Sequence, residues 1–385
     1  MRFLHTSDWH VGKTLKGYDR LPEQREVLAE IVRIAVEQRV DAVLVAGDLY
    51  ETATPGAEAQ QLVVRTLLAL RDTGARVVAI AGNHDHAPTL DAYRPLAGAA
   101  GITLVGRVRR PADGGVVAFD TADGTPVRIA ALPFLSQRYA VRAAQLLDQT
   151  PAENTAGYDA WVRSVIRSLS GGFAPDAVNV VLAHLTVTGA AMGGGERQSQ
   201  SIFEYHVPAS AFPPDVHYVA LGHLHRRQSV PAPCPVHYSG SPLRIDFGEV
   251  DSTPAVLIVD AAPGVPAKVT DVPVTSARAL RTVRGSLAEL TALEIDPADL
   301  LKVVVTEPAR AGLREDVREL FPNALEVQVA RDAAAPAARP EQARADRAPG
   351  DLLRDYLRSR DVTDPRVEAL FARLHDDVLT GEARA

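Results

Sequence analysis

From residue 1 to residue 250 the chain alternates between short apolar runs and longer stretches with apolar residues every three or four positions. The first texture predicts buried strands and the second predicts amphipathic helices. Arg2–Thr6, Val40–Gly47, Arg76–Gly82, residues 179–183 and Val216–Gly222 read as strands. Between them, Pro22–Gln38 sets Leu28, Ile31, Val32 and Ala35 on one helical face, and Gln60–Leu70 does the same with Leu62, Val63, Thr66, Leu67 and Leu70. Strands separated by helices predict a layered α/β domain.

The pattern changes near Val274. Leu280–Gly285, Leu301–Thr306 and Ala324–Val329 read as strands, with helices over Ser286–Leu293 and Leu313–Phe321, a small α+β module. An Ala/Pro/Arg-rich stretch then reads as a linker. The tail carries two helical patterns broken at Thr363-Asp364-Pro365, the second with Val367, Leu370, Phe371, Leu374 and Val378 on one face. The expected organisation is therefore 1–274, 275–332, a linker at 333–349 and a helical segment at 350–385. No internal repeat is present.

Each apolar run of the first domain ends in Asp, Asn or His: SDWH, GDLY, GNHD, AHL and GHLH. In α/β sheets ligands gather beyond the carboxyl ends of the strands, on loops that a rigid scaffold holds. Two divalent ions about 3.5–4 Å apart require a bridging carboxylate and terminal ligands of mixed oxygen and imidazole type. Asp8, His10, Asp48, Asn83, His184, His223 and His225 supply that set. Asp8-x-His10 and His223-x-His225 place alternate residues on one side of an extended segment. Gly47, Gly82 and Gly222 precede their clusters, where the backbone must turn without a Cβ in the way. Oxygen and imidazole ligation suits Mn²⁺, Fe²⁺ or Zn²⁺.

The opening SDWHVGKT also ends like a phosphate-cradling P-loop. That motif needs a glycine five residues before Gly12, and Ser7 stands there. Asp8 and His10 would also set a carboxylate where phosphate oxygens belong. The P-loop is excluded, and nucleotide energy must enter through a partner. Lys13, with Lys16, Arg20, Arg226, Arg227 and Arg244, flanks the ligand loops as a candidate contact to phosphates.

Composition narrows the picture. Cys234 is the single cysteine, so an intramolecular disulfide and a thiolate zinc cage are both excluded, and a reducing cytoplasm is expected. No run approaches the ~20 apolar residues of a membrane span, and Asp8 and His10 interrupt any apolar leader. The net charge of −7 does not advertise a nucleic-acid binder. Steering depends on local fields, however, and divalent cations invert the sign of a carboxylate-rich cleft.

D-x-H, G-D, G-N-H-D, a lone His and G-H-x-H, in that order, resemble the calcineurin-like metallophosphoesterase superfamily. HTSDWHVGKTL, VAGDLYE, AGNHD, LGHLHRRQ and YSGSPLRIDFGE are similar, within it, to nuclease subunits that act with SbcC-type ATPases. The likeness is strong over residues 1–250, weaker over the small module and only architectural in the tail. It implies a four-layer β-sandwich flanked by helices, a small α+β capping domain and a C-terminal helix pair. It further implies that Asp8, His10, Asp48 and His225 hold one metal. Asp48 then bridges to a second, completed by Asn83, His184 and His223, and His84 is catalytic rather than a ligand. Two Mn²⁺ ions are the expected cofactor.

The implied activity is 3′–5′ exonuclease action on double-stranded DNA and endonuclease action on single strands and hairpins, in DNA repair and recombination. The implied partners are DNA and the ATPase, docked through 350–385, with a homodimer inside a heterotetramer in the nucleoid-associated cytoplasm. Asp85 either orients His84 or caps a turn, and His86 lines the cleft or lies in a solvated loop. Gly193–Gln198 reads as a flexible tip that reaches a duplex or as a plain loop, and Tyr238–Pro242 as a site-closing motif or a tight turn. One rival function is a phosphoesterase acting on small nucleotides or phosphoproteins. The other is a non-catalytic scaffold, for which lost ligands would be the signature; none is lost.

Overall fold

The apolar runs become the strands of two six-stranded sheets. In the first the order is 265–273, 255–262, 2–6, 42–45, 76–80, 102–105. Its last four strands are parallel, and the 255–273 hairpin adds antiparallel strands at one edge. In the second sheet the order is 228–230, 236–238, 218–222, 178–184, 126–132, 116–120, again with four parallel strands in the middle. The computed structural model that shows this describes residues 1–135, 151–196, 206–330, 353–354, 356–358 and 364–371.

Strand alternation builds three apolar layers. Phe3, Leu44, Val78 and Ile80 point to the second sheet and meet Val178, Val180, Leu182 and Ala220. Their neighbours Leu4, Val43, Val45 and Val77 face outward, where Ile31 and Leu28 of helix Leu21–Glu37 and Leu67 and Leu70 of helix Ala57–Asp72 cover them. Val162, Ile166 and Leu169 of helix Pro151–Ser170 cover the outer face of the second sheet. Strands buried on both faces read as continuous apolar runs, which is why these were legible. The result is helix, sheet, sheet, helix: the expected four-layer sandwich.

The 255–273 hairpin, the strands 102–105, 116–120, 126–132, 228–230 and 236–238, and helices Ala87–Ala99 and Pro151–Ser170 are additions to the elements that the sequence predicts. The hairpin's outer strand has mostly exposed or half-exposed positions, so no burial period marks it.

Leu280–Gly285, Leu300–Val305 and Ala324–Val329 form a separate three-stranded parallel sheet with helices Leu287–Thr291 and Leu313–Leu320. Ser286 and Glu289 start the first helix as a capping box. Val283, Leu290, Leu301, Val303 and Val317 make its own core. This module belongs to the same compact unit as the sandwich, Met1–Ala330. Leu15, Phe247, Leu280 and Leu300 form a small apolar cluster between them.

Arg331–Ala385 is a second unit. The linker expected at 333–349 lies outside the described residues, as do parts of the helix pair expected at 350–385. Residues 365–371 are helical, and Asp364 accepts the Arg366 backbone N–H at 3.0 Å at the start of that helix.

Candidate metal centre

The carboxyl ends of parallel strands from both sheets meet at one rim. Thr6 leads to Asp8 and His10, Val45 to Asp48, and Ile80 to Asn83 and His84. From the second sheet, His184 ends its strand and Gly222 leads to His223 and His225. All eight residues converge. Ligand-type atoms of Asp8, His10 and His225, of His10, Asp48 and His84, and of Asp48, His184 and His223 lie within 4.8 Å of one another in each group.

The loops carry backbone strain. Among the described residues, Asp8, His10, Asp48 and His223 are four of the six non-glycine residues with positive φ, at 53°, 45°, 51° and 101°. Such conformations cost of order 1–3 kcal/mol each and persist where surrounding structure fixes them. Here the fixing contacts are visible. Asp8 and His10 donate backbone N–H groups to the carbonyls of Gly47 and Asp48 at 3.0 and 3.1 Å. The backbone N–H of His223 donates to Asp8 Oδ1 at 3.0 Å, and that of His84 to Asp48 Oδ1 at 2.8 Å.

The glycines act more by close approach than by turning. A Cβ on Gly82 would sit 2.1 Å from Asp48 Oδ1, and one on Gly222 would sit 2.0 Å from the carbonyl oxygen of Ala46. Of the three, only Gly47 has the positive φ expected of a sharp turn.

The imidazoles are held from behind. His10 Nδ1 contacts Glu51 Oε2 at 3.0 Å, His225 Nδ1 contacts Glu249 Oε1 at 2.8 Å, and His184 Nδ1 donates to the Ala46 carbonyl at 2.7 Å. The Nε2 atoms of His10 and His225 then face each other at 3.0 Å. His184 Nε2 and His223 Nδ1 both point to Asn83 Oδ1, at 2.9 and 2.8 Å. Ring nitrogens, two carboxylates and an amide oxygen turned inward, with outer nitrogens anchored, form a donor set that fits divalent cations.

Burial and the close approach of carboxylates to imidazoles set the charges in this nest. Burial drives Asp8 above the ordinary carboxylate range. Burial also opposes charge on Asp48, but His184, then His10 and His84, hold it well below that range. His184 lies 3.5 Å from Asp48 and, against burial, is raised to about 9. Burial lowers His84 to about 4 and His223 to about 3.

His84 is anchored through a backbone carbonyl beside the His10 ring. Its Nδ1 donates to the Glu51 carbonyl at 2.7 Å, and its ring meets His10 edge-on with centroids 4.6 Å apart. Asp85 does not orient that ring. Its carboxylate accepts backbone N–H groups of Gly82, Leu49 and Tyr50, stitching the Asn83 loop to the Asp48 loop. His86 is exposed and bonded to Thr89.

One expectation is corrected. Arg20 is wholly buried, paired with Glu23 at 2.7 Å and hydrogen-bonded to the Arg244 carbonyl, so it offers nothing to a phosphate. Of the two readings of Gly193–Gln198, the described part, Gly193–Glu196, is a loop packed against His225 and Gly248, and Arg197 and Gln198 lie outside the described residues. Lys13 is tied to Glu51 and Lys16 to Glu326, while Arg226 and Arg227 are exposed, Arg227 beside Asp271. Arg244 is half-buried and donates to the Ser252 carbonyl. Tyr238–Pro242 backs the first loop: Ser239 contacts Ser7, and Ser241 donates to the Asp8 carbonyl.

Glu51, Glu196 and Glu249 are the site residues that sequence reasoning missed. All three lie inside stretches quoted above, but a lone glutamate in a loop carries no local sign of which histidine it will hold.

The model of the calcineurin-like phosphoesterase family matches residues 1–227, and that of the type 5 capsule protein repressor C-terminal domain matches residues 276–361. The SbcD subunit of nuclease SbcCD from Bacillus subtilis is 38% identical over 73% of this chain and 71% of its own length. The subunits of the same name from Rhodobacter capsulatus and Escherichia coli K12 are 34% and 30% identical. These alignments cover 69% and 76% of this chain and 67% and 73% of those relatives. With two metallophosphoesterase-type sheets and their strand-end ligands in place, the chain belongs to the SbcD family of calcineurin-like phosphoesterases.

Proposed function

We propose that this chain is a two-metal phosphodiesterase: the DNA nuclease subunit of an assembly with an SbcC-type ATPase. Its action would be 3′–5′ exonucleolytic on duplex DNA and endonucleolytic on single strands and hairpins. The observation that carries the reading is the convergence of ligand atoms around Asp48, which belongs to two of the three groups and stands between the His10 and His184 sides. Asp8, His10, Asp48 and His225 would hold one ion, and Asp48, Asn83, His184 and His223 the other, with Mn²⁺ the expected metal. When bound, such ions neutralise phosphoryl oxygens and supply a nucleophile at neutral pH.

The chain's own residues do the rest. The three-stranded module stands beside the ligand loops, and Lys13, Lys16, Arg226, Arg227 and Arg244 are the basic groups left to contact phosphates. His84, held at Nδ1 by a carbonyl, turns Nε2 to the reacting phosphate. There it stabilises charge or passes a proton to the leaving 3′ oxygen. The ATPase would dock on the helical segment 350–385 by its apolar faces, in a dimeric, two-plus-two assembly.

A labelled DNA hairpin and a generic phosphodiester, each with Mn²⁺, test the reading. Hairpin cleavage that depends on metal and increases with the ATPase and ATP is the expected result. Turnover of the small ester with no cleavage of DNA under any of these conditions would transfer the chain to the small-molecule phosphoesterases.

A further inference from the structure

Glu249 is a buried carboxylate at the back of the centre, with its side chain 1% exposed. It ends the turn Phe247–Glu249. Its Oε1 accepts from His225 Nδ1 at 2.8 Å, and its Oε2 accepts the Ile245 backbone N–H at 2.8 Å. His225 therefore presents Nε2 inward, 3.0 Å from Nε2 of His10.

A second carboxylate closes the other side. Glu196 accepts the His225 backbone N–H at 3.0 Å and those of Gly193 and Gly194 at 2.6 and 2.7 Å. The glycines of this loop leave no room to spare. A Cβ on Gly195 would lie 2.1 Å from Glu249 Oε1 and 3.0 Å from His225 Nδ1, and one on Gly193 would lie 3.1 Å from His225 Cβ. Loop and turn together form a mould around one imidazole. The mould is braced from outside, because Phe247 packs with Leu280 and Leu300 of the three-stranded module.

We infer that Glu249 is a positioning residue, which fixes the direction and the protonated nitrogen of His225 so that the Asp8–His10–His225 group binds its ion tightly. The inference rests on the proposed metal centre. The physical requirement is two acceptors placed between two N–H donors. A carboxylate meets it, whereas an amide offers one acceptor and one donor. With Glu249→Gln, either the Ile245 N–H loses its partner or His225 moves its proton to Nε2, the nitrogen that faces the centre. Loss of an outer partner of a ligating histidine typically costs 10–100-fold in metal affinity.

The test is a Mn²⁺ titration of the full-length chain, without DNA or partner, read by calorimetry and by the spin-coupled resonance of neighbouring ions. Wild type should bind two ions. Glu249→Gln should keep one and bind the other about 10–100-fold more weakly, losing the coupled signal at stoichiometric metal. Gly195→Ala, which crowds Oε1, should reproduce this, and Glu249→Asp should recover part of the loss. Unchanged affinity for both ions in Glu249→Gln would overturn the inference. So would equal weakening of both ions together with a lower metal-free melting temperature, the mark of a merely structural residue. A wild-type chain that binds no ion would overturn the metal centre itself, and this inference with it.

Discussion

At Gly82 the space for a side chain is already occupied, since an added Cβ would fall 2.1 Å from Asp48 Oδ1 and 2.4 Å from the Asp48 backbone nitrogen. Gly82→Ala is expected to displace Asp48, lower the melting temperature by an overpacking cost of about 1–3 kcal/mol and weaken both ions. Thermal unfolding and Mn²⁺ titration check it. His84→Ala should leave both ions bound and reduce DNA cleavage by about 10²–10⁴-fold, the usual contribution of a positioned acid or base. Surviving cleavage in a hairpin assay would remove His84 from the reaction.

A third residue speaks to pH. His5 is buried between the sheets with Nδ1 2.8 Å from the Tyr218 hydroxyl, and burial, then His237, lowers its pKa to about 3. The unfolded chain takes up this proton below about 6.5, and the folded chain only near 3. Stability should thus be lost as pH falls through that window, by at most about 1.4 kcal/mol per unit, and be independent of this group above it. Denaturant melts of wild type and His5→Gln at pH 5 and 7 isolate the term, and the variant should show the shallower slope.

How much was legible divides along the same line. Residues that face inward announced themselves, because imidazole and carboxylate at five strand ends have few other uses. Residues that act from behind did not. Arg20 looked like a surface cation beside a metal loop, and only the fold shows that Glu23 and the Arg244 carbonyl enclose it. Gly193–Gly195 looked like slack, and only His225 behind it explains the missing side chains.

At the scale of elements, strands buried on both faces and helices with a full apolar stripe were readable because their periods are local. The 255–273 hairpin was not, since its place depends on pairing Arg2–His5 with Leu257–Asp260 across most of the domain. The connector behind that hairpin is held by one side chain. Glu30, on the first helix, accepts the backbone N–H groups of Thr275 and Ser276 at 2.9 and 2.8 Å and the Thr275 hydroxyl at 2.9 Å. Glu30→Ala leaves these donors without their acceptor, at a cost of about 1–3 kcal/mol. Hydrogen exchange should show Thr275 and Ser276 opening faster while the strands of the central sheets keep their protection. Unchanged exchange would mean that the connector is fixed by packing alone.

For the molecule as a whole, the chain divides into two units at Ala330 and Arg331. On the proposed reading, removing residues 340–385 abolishes capture of the ATPase while Mn²⁺-dependent phosphodiesterase activity is retained. Co-purification and a small-ester assay measure the two properties independently, and retained capture would place the docking surface elsewhere.

The layout of the rim has a mechanical consequence. Asp8, His10, Asp48 and Asn83 hang from one sheet, and His184, His223 and His225 from the other. Cations seated among them would span the seam of the sandwich and act as rivets against shear between its two halves. Metal would then be a structural fastener as well as a reagent: occupancy at one hundred times Kd adds about 2.7 kcal/mol to the folded state. A chelator should in consequence soften the inter-sheet layer around Leu44, Ile80, Leu182 and Ala220 before it loosens the helices on either outer face.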